Sequence, residues 1–183
     1  GIPVTYFNVS FVIPNGLASD ASTQTIPTTD EQNGGPWGVA PQHLEFQLNQ
    51  YNLPVGYFSE IFIDVYPAQD YGNANAGANI SLQRLQALLS NPSAALTNEI
   101  LPQVPYFNAA SMFAAQVKRI QFKTGRGVRM ITQYGQAVGP VANNGTFYHF
   151  EGLTNDGKYY IIAVLPIAAK FLINGNDPSA PVP

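Results

Sequence analysis

Tyr159 to Leu165 is apolar at nearly every position and follows Asp156-Gly157, and no other stretch of the chain constrains the fold as much. Asp-Gly is a strong hairpin signal, because Gly accepts the positive φ of a tight turn. Residues 146–153 and 158–166 are therefore expected to pair as antiparallel strands. The second of them puts Tyr159, Ile161, Ala163 and Leu165 on one face and Tyr160, Ile162 and Val164 on the other. Such a strand is stable only where both faces are covered, which makes it central, with a helix on one side and loops or a further layer on the other.

The remaining periodicities extend this into a meander. Residues 116–123 and 127–134 flank Thr124-Gly125-Arg126, a second hairpin connection. Residues 43–48 alternate, with Leu44, Phe46 and Leu48 facing inward and His43, Glu45 and Gln47 outward; residues 60–66 alternate likewise and end at Pro67. The opening segment, 4–13, reads as one strand ended by Pro14-Asn15-Gly16. The main helix spans 80–89, where Leu82, Leu85, Leu88 and Leu89 form one stripe, Asn79 caps the start and Asn91-Pro92 the end. A short helical segment is expected at 109–115 after Asn108, and a long surface loop at 18–42 that holds Trp37, either as a packing anchor or as a binding platform. The expected fold is α+β: an antiparallel sheet of six or seven strands against one main helix plus a short helical segment. It forms a single domain over 1–173, followed by a Pro-rich extended tail at 174–183.

Composition narrows the function classes. There is no cysteine in 183 residues, which removes disulfides, thiol nucleophiles and Cys-ligated metal centres. Only 8 basic and 11 acidic side chains are present, 10% of the chain against a usual figure of about 25%. A surface of neutral amides, hydroxyls and aromatics suits a secreted, periplasmic or cell-surface setting. No apolar run is long enough to form a membrane-spanning helix. The charges are unevenly placed: residues 1–83 hold seven acids and no base, and residues 84–183 eight bases and four acids, so −7 against +4 gives the net −3. Lys118, Arg119, Lys123, Arg126 and Arg129 fall within twelve residues. With an acidic chain overall, a solvated hairpin face is favoured over a nucleic-acid surface. Pairing with acids near 60–70 of a second copy is a further reading.

The chain has two histidines, each in a His-x-Glu pattern: His43 with Glu45 and His149 with Glu151. The strand period puts both members of a pair on one face. If the two strands were neighbours, these groups would converge as a metal or acid/base site; otherwise they form two polar outer faces. Nucleophile-elbow and phosphate-loop motifs are missing. The aromatic clusters Tyr57-Phe58, Tyr106-Phe107, Phe147-Tyr148-Phe150 and Tyr159-Tyr160 read as core, or as a platform for sugars or apolar ligands.

The segments Gly127-Val128-Arg129-Met130-Ile131-Thr132-Gln133-Tyr134 and Phe147-Tyr148-His149-Phe150-Glu151-Gly152-Leu153-Thr154, with Pro105-x-Phe107-Asn108-Ala109-Ala110 before them, resemble a group of uncharacterised secreted or lipid-anchored bacterial proteins. The architecture is also distantly similar to PsbP-like sheets. The resemblance implies export and assigns no activity, cofactor or catalytic residue. The chain thus reads as an exported, non-catalytic cell-envelope or extracellular interaction or structural module without a cofactor. Its partner would be an envelope component, a protein or a second copy, not nucleic acid. The alternatives are a glycan or small-ligand binding module, with Trp37, Tyr57 and Tyr148 as contacts, and a metal-dependent enzyme on the two His-x-Glu strands.

Overall fold

The structure, a computed structural model, describes residues 1–53, 57, 60–104, 108–137 and 139–175. Among these, ten strands form in chain order: β1 (Ile2–Tyr6), β2 (Val9–Ile13), β3 (Asp20–Ile26), β4 (His43–Asn49), β5 (Phe62–Pro67), β6 (Ala110–Ser111), β7 (Ala115–Phe122), β8 (Gly125–Gly135), β9 (Thr146–Thr154) and β10 (Tyr159–Pro166). The helices are α1 (Glu31–Gly38), α2 (Ala68–Ala74) and α3 (Ala76–Ser90). Eight strands make one sheet in the order β3-β4-β5-β10-β9-β8-β6, with β7 also on β8; β1 and β2 form a separate hairpin. The fold is α+β with a mostly antiparallel sheet.

Burial on both faces explains the central place of β10. Its front face, Tyr160, Ile162 and Val164, is at most 1% exposed, and the first two pack with Leu82, Leu85 and Leu88 of α3. Its rear face, Ile161 and Leu165, packs with Phe46, Val65 and the β1–β2 hairpin. The molecule is therefore three layers deep over β4, β5 and β10: helices, sheet, hairpin. The hairpin leans toward β3, and among the described residues none of the hydrophobic side chains clustered with it belongs to β7 or β8.

Several expectations are corrected. The opening strand is two, because the chain reverses at Phe7-Asn8 with Phe7 at φ 50. The 18–42 loop contains β3, which pairs with β4 over its whole length, and α1, kinked at Gly35. Asn75, not Asn79, caps the main helix, accepting from the Ala78 N–H while its amide donates to the Trp37 and Val39 carbonyls. The helix therefore starts at Ala76, and a further helix, α2, lies immediately before it. Residues 109–115 are not helical: Ala110 and Ser111 pair with Gly135 and Tyr134, extending the sheet. At 124–126 the turn is Lys123-Thr124, and Gly125 is required for space, since a Cβ there would meet the Phe122 ring and the Leu153 carbonyl. At Gly157 the expected positive φ, 72°, is found. Phe58, Tyr106, Phe107 and residues 176–183 of the expected tail lie outside the described residues. Just before the tail, Ile173 bridges to Ala142, and the side chain of Asn174, the first residue of the expected tail, accepts from Asn143.

Candidate functional site

His149 and Glu151 lie on the front face of β9, beneath α3, and both are 0% exposed. They form neither an outer face nor a joint site with His43. β4 and β9 are separated by β5 and β10, three inter-strand spacings or about 14 Å. Glu151 is instead the hub of a buried network. Its Oε1 accepts from His149 Nε2 at 2.7 Å and from the Val104 N–H at 2.7 Å. Its Oε2 accepts from Ser81 Oγ at 2.6 Å and from the Tyr160 hydroxyl. Four donors from four segments thus converge on one carboxylate. Burial by itself raises the Glu151 pKa, but the bond to His149, that ring's charge, and the Ser81 and Tyr160 hydroxyls outweigh it and hold the group below its ordinary value.

His43 and Glu45 are on the same face at the far side. The His43 ring stacks on Tyr66 with centroids 4.3 Å apart, and its Nδ1–H donates to the Pro41 carbonyl at 2.8 Å. This leaves Nε2 of the neutral ring facing the buried Asp64, 3.9 Å from Oδ2. Glu45 accepts from Gln24 Nε2 at 2.6 Å instead. Asp64 accepts from the Tyr66 hydroxyl at 2.7 Å, and its Oδ1 has no partner among the described residues. Burial pushes the Asp64 carboxyl up to about 8, against the Tyr66 hydrogen bond and with added repulsion from Glu45 and Glu60. Burial also lowers the His43 pKa, a shift that the Pro41 hydrogen bond and Glu45 oppose. Both groups favour their neutral forms, so the contact between them is not an ion pair at neutral pH.

A pH dependence follows. With a folded pKa near 8 and an ordinary value near 3.9, Asp64 contributes fully below the ordinary value, and its contribution is lost as pH rises toward 8. Asp64→Asn keeps the acceptor for Tyr66 and removes the titration. Urea unfolding at pH 5 and pH 9 is expected to show the variant gaining about 4 kcal/mol on wild type at pH 9 relative to pH 5. Parallel curves for the two proteins would contradict the assignment.

Strand alternation splits the basic cluster across the sheet. Arg119 reaches forward to the Asn91 and Ala94 carbonyls, at 3.3 and 2.7 Å, and Arg126 to the Leu89 carbonyl at 3.3 Å. They satisfy carbonyls at and just beyond the C-terminus of α3, where the helix dipole favours cations. Lys118 pairs with Arg129 across β7 and β8 on the rear face, and Lys123 is exposed in the turn. For pairing with a second copy, Glu60 and Asp70 are exposed, whereas Asp64 is buried.

The rear face carries the aromatic surface. Arg129 lies over the Tyr148 ring, its guanidinium carbon 5.8 Å from the centroid, a cation–π contact. The Phe122 and Phe150 rings lie over Gly125, Gly127 and Gly152; a Cβ at 127 or 152 would come within 2.6 Å of the Phe150 ring. Tyr148 also ends a groove of about 350 Å³ whose walls include Phe11, Val12 and Ile13 of β2 and whose floor includes Ile63 and Leu165. Trp37 stands apart at the end of α1, 38% exposed, and Tyr57 is half-buried beyond β4. Among the described residues no three of His, Asp and Glu are grouped to hold a metal ion. No protein-family model, curated protein or solved structure matches the chain.

Proposed function

We propose that this chain is a non-catalytic binding module, exported to the cell envelope or the extracellular space, whose working surface is the rear of β7–β10 with the adjoining groove. The observation that carries this reading is the division of labour between the two sheet faces. Glu151 and His149 are wholly buried under α3, with all four Glu151 lone-pair directions engaged, one by His149 of its own strand and three by donors from other segments. Groups so held stabilise a fold and do not meet a substrate. The rear of β7–β9 instead presents exposed Lys118 and half-buried Arg129, Phe150 and Tyr148, the last bordering the hairpin, a mixture suited to recognition. The cysteine-free, charge-poor composition supports an exported setting, as do the segments that resemble secreted or lipid-anchored bacterial proteins.

Two variants separate the faces. Arg129→Glu alters only a half-buried rear position and is expected to keep the wild-type melting temperature while losing sedimentation with envelope fragments from the source organism. His149→Gln is expected to lower the melting temperature and leave sedimentation of the folded fraction unchanged. Wild-type sedimentation by Arg129→Glu, with loss of it in folded His149→Gln, would overturn the reading.

A further inference from the structure

We infer that the rear groove is a site for one free single-chain anionic amphiphile, a medium-chain fatty acid, with its hydrocarbon tail between β2 and the sheet and its carboxylate at Arg129. This inference rests on the reading of the rear face as the binding face. The groove, about 350 Å³, falls at the lower end of the range for small-molecule sites. At roughly 30 Å³ for a water-sized group, that is space for about a dozen methylene-sized units, one chain rather than two. Its lining, Phe11, Val12, Ile13, Ile63 and Leu165 among others, offers almost nothing to a polar ligand inside it, so a head group must lie beyond its end.

Strand register says what waits there. The floor residue Ile63 pairs with Ala163, Ala163 with Phe150, Phe150 with Arg129 and Arg129 with Lys118, so these side chains run in one row across the rear face. The neighbouring row runs Leu165, Tyr148, Ile131. A chain lying along the groove floor toward β8 therefore passes Tyr148 and arrives at Arg129, with Lys118 one strand further. Among the described residues, Glu151 is the sole acid within β7–β10, and it faces the opposite side. The cations on the rear face have no carboxylate on that face of those strands to balance them, and a ligand carboxylate supplies one.

Calorimetric titration of the full chain with decanoate, decanol and acetate tests the proposal, each kept below its aggregation limit in low salt. Decanoate is expected to saturate one site with a micromolar Kd, about tenfold tighter than decanol, and acetate to show no saturation. Arg129→Gln is expected to erase the tenfold preference and leave decanol binding in place. Val12→Glu, at a wall position 61% exposed and so tolerated by the fold, is expected to weaken both. Equal binding of decanoate and decanol would overturn the assignment of the head group. Saturable acetate binding, a preference for decanoate that survives Arg129→Gln, or no decanoate binding would overturn the site altogether. If envelope sedimentation still depends on Arg129 while decanoate fails to bind, the amphiphile is wrong and the binding-face reading stands.

Discussion

Glu151→Ala is expected to lower the free energy of unfolding by about 4 kcal/mol, enough to leave a domain of this size marginal or unfolded. The substitution removes one side chain but orphans four donors: His149 Nε2, the Val104 N–H, and the Ser81 and Tyr160 hydroxyls. All four are sealed between α3 and the sheet, where water cannot replace the carboxylate without opening the interface. Glu151→Gln keeps the shape and one acceptor oxygen, and the two hydroxyls can turn to meet its amide, so a loss of about half that size is expected. Because the folded pKa is lowered, the contribution of Glu151 is present above the ordinary carboxylate value and is lost as pH falls through the folded one. Denaturant curves at pH 7 and pH 3 check both points. The wild-type advantage over Glu151→Gln should narrow at pH 3, and an unchanged gap would contradict the network.

Gly127→Val is expected to cost about 3 kcal/mol, near the upper end for overpacking. A Cβ at 127 meets the Glu151 carbonyl, and the Phe150 ring at 2.6 and 2.7 Å, so either the β8–β9 pairing or the ring must move. Gly157→Ala is the matching control. Its φ of 72° disfavours a side chain, yet nothing lies within 4 Å, and a loss of about 1 kcal/mol from strain alone is expected. Thermal unfolding of the two variants separates lack of space from lack of conformational freedom. A similar cost at both sites would mean that Phe150 yields and that the glycine floor of the rear face is not rigid.

What was legible in the sequence is what depends on neighbours along the chain. The Asp156-Gly157 hairpin, the alternation in β4 and β5, and the doubly apolar β10 follow from local pattern and appear as expected. The Phe7-Asn8 reversal was not legible, because a Phe at positive φ is a conformation that its residue type argues against. β3 was hidden by its polar composition, Asp-Ala-Ser-Thr-Gln-Thr-Ile, which suits an edge strand with an exposed front face. The candidate site was half legible. The two-residue spacing correctly put His149 beside Glu151, but polarity suggested solvent where helix α3 in fact covers them. Ser81 was the available clue. It precedes Leu85 and Leu88 by four and seven residues, so it lies in the buried stripe, and a hydroxyl there requires a buried partner. The burial of Asp64 was not legible for the same reason, since the strand alone does not show that Tyr66 beside it stacks on Tyr71 of α2. For the basic cluster, the two-residue strand period separates Arg119 and Arg126 from Lys118 and Arg129, a division visible in the spacing once both strands are accepted.

The most direct test of the account is an NMR titration of the labelled full chain with decanoate, following side-chain and amide signals on both faces of the sheet. Saturating shifts are expected at Val12, Ile63, Tyr148, Leu165 and Arg129, with Ser81, His149 and Glu151 unmoved. Shifts centred on Ser81, His149 and Glu151, with a silent rear face, would contradict it.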